Sequence, residues 1–411
     1  MSIINQPFQG QLGDILIDEL SNEYASFTIF SAFAKNSGVL RLKRAIEKHR
    51  LHGGKVNAFI GIDLDGTSYE ALLNLFSICD NLFVIHSESF STTYHSKIYL
   101  LENDSTAWCA IGSNNLTGGG LWTNFESCSI EKYSLPVDSA KLQNIYDIVE
   151  KYMDRAYECS TRITSIDDIN TLFDANYISK EVSQRMENIS RQTRQKARQK
   201  KTALFGAEKV SIPPVLVEQM PTMEKTKQAG PPMALVINDI EPKRPAFTNE
   251  QFWFEMREST GGSRNILDLS KLGKIESGSV KDTAYEYPGE PLKMYGGIKF
   301  FEIDPEDMNR QKNIIINYLG KDYFPSTIKF TPNNGSWRIQ LKGAPSDGSD
   351  ELSKFGKHGD FVHKILVFEK INPDYYVLSI LDETELRRVK EMSRVWARNG
   401  SNSSSKAYGM F

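Results

Sequence analysis

The sequence predicts an α/β domain followed by a mostly β domain, and three observations carry that prediction. Strand-like and helix-like runs alternate from Ala25 to Tyr133. A basic and then proline-spaced stretch interrupts the pattern over residues 181–245. From Ala246 onward, short apolar or alternating runs are punctuated by Gly, Pro, Asn and Asp.

The elements of the first domain follow in order. "ASFTIFSAFA" (Ala25–Ala34) is β-branched and aromatic and reads as a buried strand. "GVLRLKRAIEKHRLHGG" (Gly38–Gly54) is an amphipathic helix, with Val39, Leu40, Leu42, Ala45 and Ile46 on one face and a Gly-Gly stop. Lys55–Asp63 is the next strand, Ser68–Cys79 the next helix, and Leu82–Ser87 a third strand. This strand-helix-strand order predicts parallel neighbours. Ser96–Leu101 and Ala107–Ser113 flank a polar turn at Asn103-Asp104-Ser105 and predict a hairpin. Phe125–Tyr133 is a further strand, and Asp138–Ala156 a helix capped by Asp138 or Ser139.

The domain scheme is therefore residues 1–180, a basic helix or arm with a linker over 181–245, and a β domain over 246–411. The charge of the middle segment is concentrated in residues 191–201, which suits either a solvated helix or a DNA contact. In the last domain, "QFWFEM", "GGIKFFEI", "NIIINYL", "STIKFTP", "SWRIQL", "HKILVFEKI" and "YYVLSIL" read as strands of a small barrel or sandwich. Asp382–Arg394 reads as a late helix, and the tail from Asn399 as mobile.

Composition narrows the class. The 411 residues suffice for two cores, and 25% charged against 40% apolar is ordinary globular composition. A net charge of −3 gives no global basic field, so any nucleic-acid surface rests on local clusters. The start has neither a basic region nor an apolar core, and no apolar run reaches about 18 residues, so the expectation is a cytoplasmic protein without membrane contact. Cys79, Cys109, Cys128 and Cys159 are widely spaced and read as free thiols, mostly buried.

The chemistry lies in "TTYHSKIYLLENDSTAWCAIGSNNLTGGG". Alternation puts His95, Lys97 and Tyr99 on one face of a strand, at its start. The partner strand ends in Gly112-Ser113-Asn114-Asn115 across the hairpin, and Glu126 opens another strand. These groups suit a phosphodiester. A neutral imidazole can attack phosphorus and an imidazolium can protonate the leaving oxygen. Lys, Asn and Ser can hold the non-bridging oxygens, and a carboxylate can fix the tautomer of the histidine. The sequence shows no Asp, His and Cys cluster at metal-ligand spacing, so no metal or cofactor is expected.

"HSK" followed by "GSNNLTGGGLWTNFES" resembles the HxK…GSxN…E signature of the phospholipase D superfamily, closer to its nucleases than to its lipases. The segment from Thr28 to Asp63 is similar to that of restriction endonucleases of the BfiI and NgoFVII group. The resemblance implies a phospholipase-D-like mixed sheet flanked by helices. It makes His95 the nucleophile and transient phosphohistidine, Lys97 and Asn115 phosphate ligands, Glu126 the group orienting His95, and Ser113 a further member of the pocket. Many superfamily members carry Asp five residues after the Lys; here that position is Glu102, with Asp104 nearby, and both stay outside the catalytic set. Superfamily sites use two HxK motifs and this chain has one, so the resemblance implies a homodimer sharing one active site.

The β domain resembles the B3-like pseudobarrel that reads DNA in the same enzymes, best over Gly356–Leu381. Its candidate DNA contacts are Arg257, Ser259, Thr260, Ser263, Arg264 and Asn265 in "RESTGGSRNILDLSK", with Arg338 and Lys342 as a second set. Trp337 reads as core, and His358 and His363 as structural or surface groups.

The expectation is a metal-independent, site-specific endonuclease of restriction type acting on double-stranded DNA. The rivals are a phospholipase-D-like phosphodiesterase on another substrate and a catalytically silent DNA-binding subunit of a defence complex. A separate methyltransferase or ATP-driven partner is left open, and the chain has no GxxxxGK[ST] loop of its own.

Overall fold

The computed structural model describes residues 2–89, 91–198, 210, 251–257, 264–345, 348–400 and 404–411, with side chains of the helix that ends at 198 described through 189. The chain divides into two compact units, an N-terminal and a C-terminal one.

The N-terminal unit runs β1 (Ser2–Gln6), α1 (Leu12–Glu19), β2 (Ser26–Ser31), α2 (Asn36–Leu51), β3 (Lys55–Gly61), α3 (Tyr69–Ile78), β4 (Asn81–Ile85), β5 (Lys97–Glu102), β6 (Thr106–Gly112), β7 (Glu126–Ser134), α4 (Ser139–Met153), β8 (Ser160–Ile163), α5 (Ile166–Asp174) and α6 (Glu181–Arg198). Eight strands form one sheet in the order β1-β7-β6-β5-β2-β3-β4-β8. Strands β2, β3 and β4 are parallel, as the α-helical crossovers require, and the remaining pairings are antiparallel. The expected hairpin is β5–β6.

Both faces of the sheet are covered, which is why its central strands read as continuous apolar runs. One face, with Ile29, Ala58, Val84, Tyr99 and Trp108, packs against α1, α2, α3 and α5. The other face carries Phe30, Phe59 and Phe83, in register on adjacent strands with ring centroids 5.0 and 5.3 Å apart, beneath α4. The helix expected at Asp138 starts there, but its side chain does not cap it. The carboxylate accepts instead from Ser134 N at 3.0 Å and pairs with Lys141. The four cysteines are free; Cys109 and Cys128 are buried, Cys79 and Cys159 half-buried. Burial pushes the Cys109 thiol up to about 12 and that of Cys128 to about 11, so both are unreactive.

The C-terminal unit is mostly β: β9 (Gln251–Met256), β10 (Ile266–Leu269), β11 (Leu272–Gly278), β12 (Lys293–Tyr295), β13 (Gln311–Tyr318), β14 (Lys321–Thr331), β15 (Ser336–Gln340), α7 (Leu352–His358), β16 (Lys364–Asn372), β17 (Tyr375–Asp382), α8 (Leu386–Met392), β18 (Val395–Arg398) and β19 (Ala407–Met410). The eleven strands are ordered β10-β15-β14-β13-β17-β16-β9-β19-β18-β11-β12.

Two expectations fail here. "GGIKFFEI" is no strand but a 3₁₀ turn over Gly297–Phe301. A strand would send Phe300 and Phe301 to opposite faces; the turn buries both, 5.4 and 5.8 Å from the Phe252 ring. The C-terminal tail, expected to be mobile, contains a buried strand. Ala407–Met410 is buried as β19 between β9 and β18. Its small residues, which suggest coil in isolation, fit close backbone approach. A Cβ on Gly409 would lie 2.6 Å from the Val395 carbonyl oxygen and 2.8 Å from the Trp253 ring nitrogen.

Candidate active site

The hairpin places the motif residues at one end of the sheet. Strand β5 begins at Lys97, so His95 lies just outside it, exposed, while Lys97 is only 7% exposed on the helix-covered face it shares with Tyr99. The Lys97 side chain turns back to His95: Nζ is 2.6 Å from Nδ1 of the ring and 2.8 Å from the His95 carbonyl oxygen. Burial holds the Lys97 ammonium below the usual lysine value, and the Glu126 carboxylate works against that shift.

Ser113 and Glu126 meet directly, the hydroxyl donating to Glu126 Oε2. Glu126 also accepts from Asn124 Nδ2 at 3.1 Å. Its hydrogen bonds therefore go to Ser113 and Asn124, and its influence on the His95–Lys97 pair is through its charge on Lys97. Asn115 Oδ1 accepts from Phe33 N at 3.2 Å, which leaves its amide N–H groups as donors. The Phe33 ring in turn stands edge-on to His95, with centroids 5.8 Å apart.

The segment carrying Ser113 and Asn115 is clamped by backbone. Leu116 N donates to Ser31 Oγ at 2.8 Å, and Lys35 N to Leu116 O at 3.0 Å. Gly38 and Gly120 press against it: an added Cβ would lie 2.6 Å from the Leu116 carbonyl and 2.4 Å from the Asn115 carbonyl oxygen. The glycines after Asn115 thus permit close approach rather than only a turn.

Four supporting residues escaped the sequence reading. Gln6 donates to the carbonyls of Gly119, Gly120 and Asn124 at 3.1–3.3 Å. Asn114, 2% exposed, donates to Gly120 O at 2.8 Å, and Phe33 contacts His95 as above. Asp63, two residues past the end of β3, uses both oxygens on the loop leading to His95. Oδ1 is 2.5 Å from His86 Nδ1 and Oδ2 accepts from Tyr94 N at 2.8 Å. The only sequence signal for Asp63 was its place at a strand's carboxyl end, where α/β sheets gather ligand sites.

Glu102 and Asp104 stand apart from this site. Glu102 ends β5 five residues from Lys97, roughly 16 Å along the strand. It accepts from Tyr146 OH at 2.8 Å.

The candidate DNA contacts fare unevenly. Ser259, Thr260 and Ser263 lie outside the described residues, as do the linker 211–245 and the side chains of the basic run 191–201. Arg257 is held by Glu255 at 2.7 and 3.0 Å and donates to Ser404 O at 2.7 Å. Arg264 is exposed, with an N–H 3.5 Å from Lys357 O, and Asn265 Nδ2 donates to Leu341 O at 2.8 Å. Arg338 pairs with Asp268 at 2.7 Å, and Lys342, four residues on, is half-buried. Trp337 is core, and His358 and His363 are surface groups, as expected.

No family model matches the chain, and no curated protein does. Several solved structures are similar to part of it. One is Nuc, a phospholipase D family member from Salmonella typhimurium (16% identity over 40% of this chain and 97% of that one, TM-score 0.28). NucT from Helicobacter pylori is 16% identical, over 36% and 94% of the two chains, with a TM-score of 0.26. The yeast tyrosyl-DNA phosphodiesterase is 14% identical, over 41% and 40%, with a TM-score of 0.26. Among the described residues, no helix is long and apolar enough to cross a membrane.

Proposed function

We propose that the protein is a phosphodiesterase of the phospholipase D type, a metal-independent DNA endonuclease of restriction character. The observation that carries this is the Lys97–His95 contact at 2.6 Å, set at a strand end with Asn115 and the Ser113–Glu126 pair on the neighbouring segment. In this reading His95 Nε2 attacks phosphorus, forming a P–N bond as the bond to the leaving oxygen breaks. An imidazolium protonates that oxygen. Water then attacks the phosphohistidine, giving up its proton to the imidazole that has just lost one. Lys97 and the Asn115 amide offset the charge on the non-bridging oxygens.

A single subunit is not poised for the first step. An ammonium at Lys97 makes Nδ1 the acceptor, which leaves the proton of a neutral ring on Nε2. Attack requires Lys97 to turn to phosphate and an acceptor to take Nδ1–H. One chain also supplies one HxK, so the second imidazole is the partner subunit's His95. A surface suited to such pairing lies beside the site. Ile3 and Ile111, 60% and 47% exposed, lie in register on either side of Ser129. Phe8 and Phe125, both exposed, stack at 5.5 Å next to Glu126.

The C-terminal unit, read as a B3-like domain, supplies sequence recognition on double-stranded DNA through the loop after Arg257 and the Arg338 region. The test is cleavage of a sequence-diverse plasmid by the purified chain in EDTA, beside His95→Ala. Discrete fragments from the wild type alone support the reading; cutting that demands magnesium sinks the phosphohistidine route.

A further inference from the structure

We infer that the C-terminal unit holds a phosphate-binding subsite between α8 and β18, which takes a backbone phosphodiester of a polynucleotide. The inference rests on the reading of the chain as a DNA-acting protein, and it assigns a contact that the sequence reading did not.

A cavity of ≈ 500 Å³ opens there, lined by Ser277, Leu386, Arg387, Lys390, Glu391 and Trp396. Most of its polar groups are spoken for: Arg387 donates to Glu391 at 2.9 Å. Lys390 is different. Its ammonium stands 4.8 Å from the centre of the Trp396 ring and has no oxygen partner among the described residues. Arg398 is 5.3 Å from the same ring centre. It gives one N–H to Ser405 O at 3.1 Å, while its buried Nε has no hydrogen-bond partner and lies 3.9 Å from Glu276.

An ammonium has three donors, and none of those of Lys390 goes to a protein oxygen among the described residues. Burial lowers the Lys390 pKa; Arg398 and Arg257 push the same way against Glu255 and Glu276. An oxyanion in the cavity would accept from the Lys390 ammonium. Phosphate suits such a place because several oxygens can be shared between the Lys390 ammonium and the Arg387 guanidinium, which both line the cavity.

A polynucleotide is the source that position favours. Arg398 ends the strand that leads into 399–405, and Arg257, bonded to Ser404 O, begins the loop read as base-contacting. A phosphate held here would set the register of that loop on a duplex without reading its sequence.

The test is duplex binding by the full-length protein at salt from about 50 to 200 mM, with Lys390→Gln and Lys390→Arg beside the wild type. K390Q keeps the stem over Trp396 and removes the charge. The expected result is a salt slope smaller by about 1 in K390Q, with weakening equal on all duplexes and restored in K390R. A second arm follows tryptophan emission with inorganic pyrophosphate, using Trp396→Phe as the blank. An unchanged slope in K390Q overturns the proposal. So does a Lys390-dependent pyrophosphate response without any change in duplex binding, which would make this a free-phosphate site. Absence of duplex binding by the wild type overturns it as well. Wild-type binding without cleavage, by contrast, removes only the nuclease reading.

Discussion

Lys97 Nζ lies 2.6 Å from His95 Nδ1, and the same nitrogen lies 2.8 Å from the His95 carbonyl oxygen. The buried lysine therefore fixes both the ring and the backbone of the exposed histidine. In the proposed reaction its charge must move from the ring to the phosphate. Lys97→Met is expected to reduce kcat by about 10²- to 10³-fold, the usual cost of losing one charge-stabilising donor. His95→Ala should abolish turnover. Single-turnover cleavage and acid-quench detection of a phosphohistidine separate the two.

The pH dependence follows from the same lysine. Burial lowers its pKa below the ordinary 10.5, and Glu126 holds it up. Above that pKa the ammonium becomes a neutral amine and phosphate binding weakens, so kcat/KM should fall on the alkaline side at a pH below 10.5. Glu126→Gln removes the opposing carboxylate, so the fall should begin at a still lower pH. An NMR titration of the Lys97 ammonium nitrogen reads the shift directly, independent of any loss of rate in this variant.

Asp63 offers one oxygen to His86 and the other to Tyr94 N, and so ties both ends of the loop that precedes His95. Asp63→Ala leaves a peptide N–H and an imidazole without their acceptor. The expected loss of stability is about 1–3 kcal/mol, read as a shift in the urea midpoint. Asp63→Asn keeps one acceptor oxygen, so it should unfold near the wild-type midpoint yet show a lower kcat at unchanged KM. An unchanged kcat in Asp63→Asn would remove the positioning role.

Gly120 approaches the backbone of Asn115 so closely that a Cβ would lie 2.4 Å from its carbonyl oxygen. Gly120→Ala must displace that segment. A destabilisation of about 1–3 kcal/mol is expected, together with weaker substrate binding, because the Asn115 amide moves with the backbone. Thermal melting and KM are the two readouts.

Ile111 is 47% exposed, and Ile3, across Ser129 in register, is 60% exposed. If that patch pairs two subunits, Ile111→Arg should give monomers in sedimentation and lose cleavage while keeping its fold. Mixing it with His95→Ala protein should restore no activity. A wild-type chain that sediments as a monomer and still cuts would remove the shared-site reading.

Much of this was legible in the sequence because local rules govern it. Buried runs located β2 to β6 to within a few residues, since a strand buried on both faces is apolar along most of its length, and β7 was located although only Cys128 and Ile130 of it are buried. The hairpin put His95 and Lys97 beside Ser113 and Asn115 because it brings strand ends together over a short loop, and the resemblance to the HxK…GSxN…E signature added Glu126. The tail was misread for the opposite reason. Ala407 and Gly409 have weak strand preference, and only the pairing of β19 with β9 and β18 makes them strand. Phe300 and Phe301 likewise follow the core around Phe252 rather than their own alternation.

The sequence by itself determined β2 to β7 and α2 to α4 of the N-terminal unit and which side chains stand at the end of the hairpin, whereas β1, α1, β8 and α5 lay outside its reading. Only the tertiary structure decided how those side chains are partnered. Asp63 and Tyr94 are 31 residues apart, and Gln6 and Gly120 are 114 apart. Contacts of that separation depend on how the strands are ordered in the sheet, and neither periodicity nor spacing encodes that order. Whether Glu126 meets Ser113 or His95 is a matter of ångströms, set by packing around Asn124 and the glycines of residues 118–120.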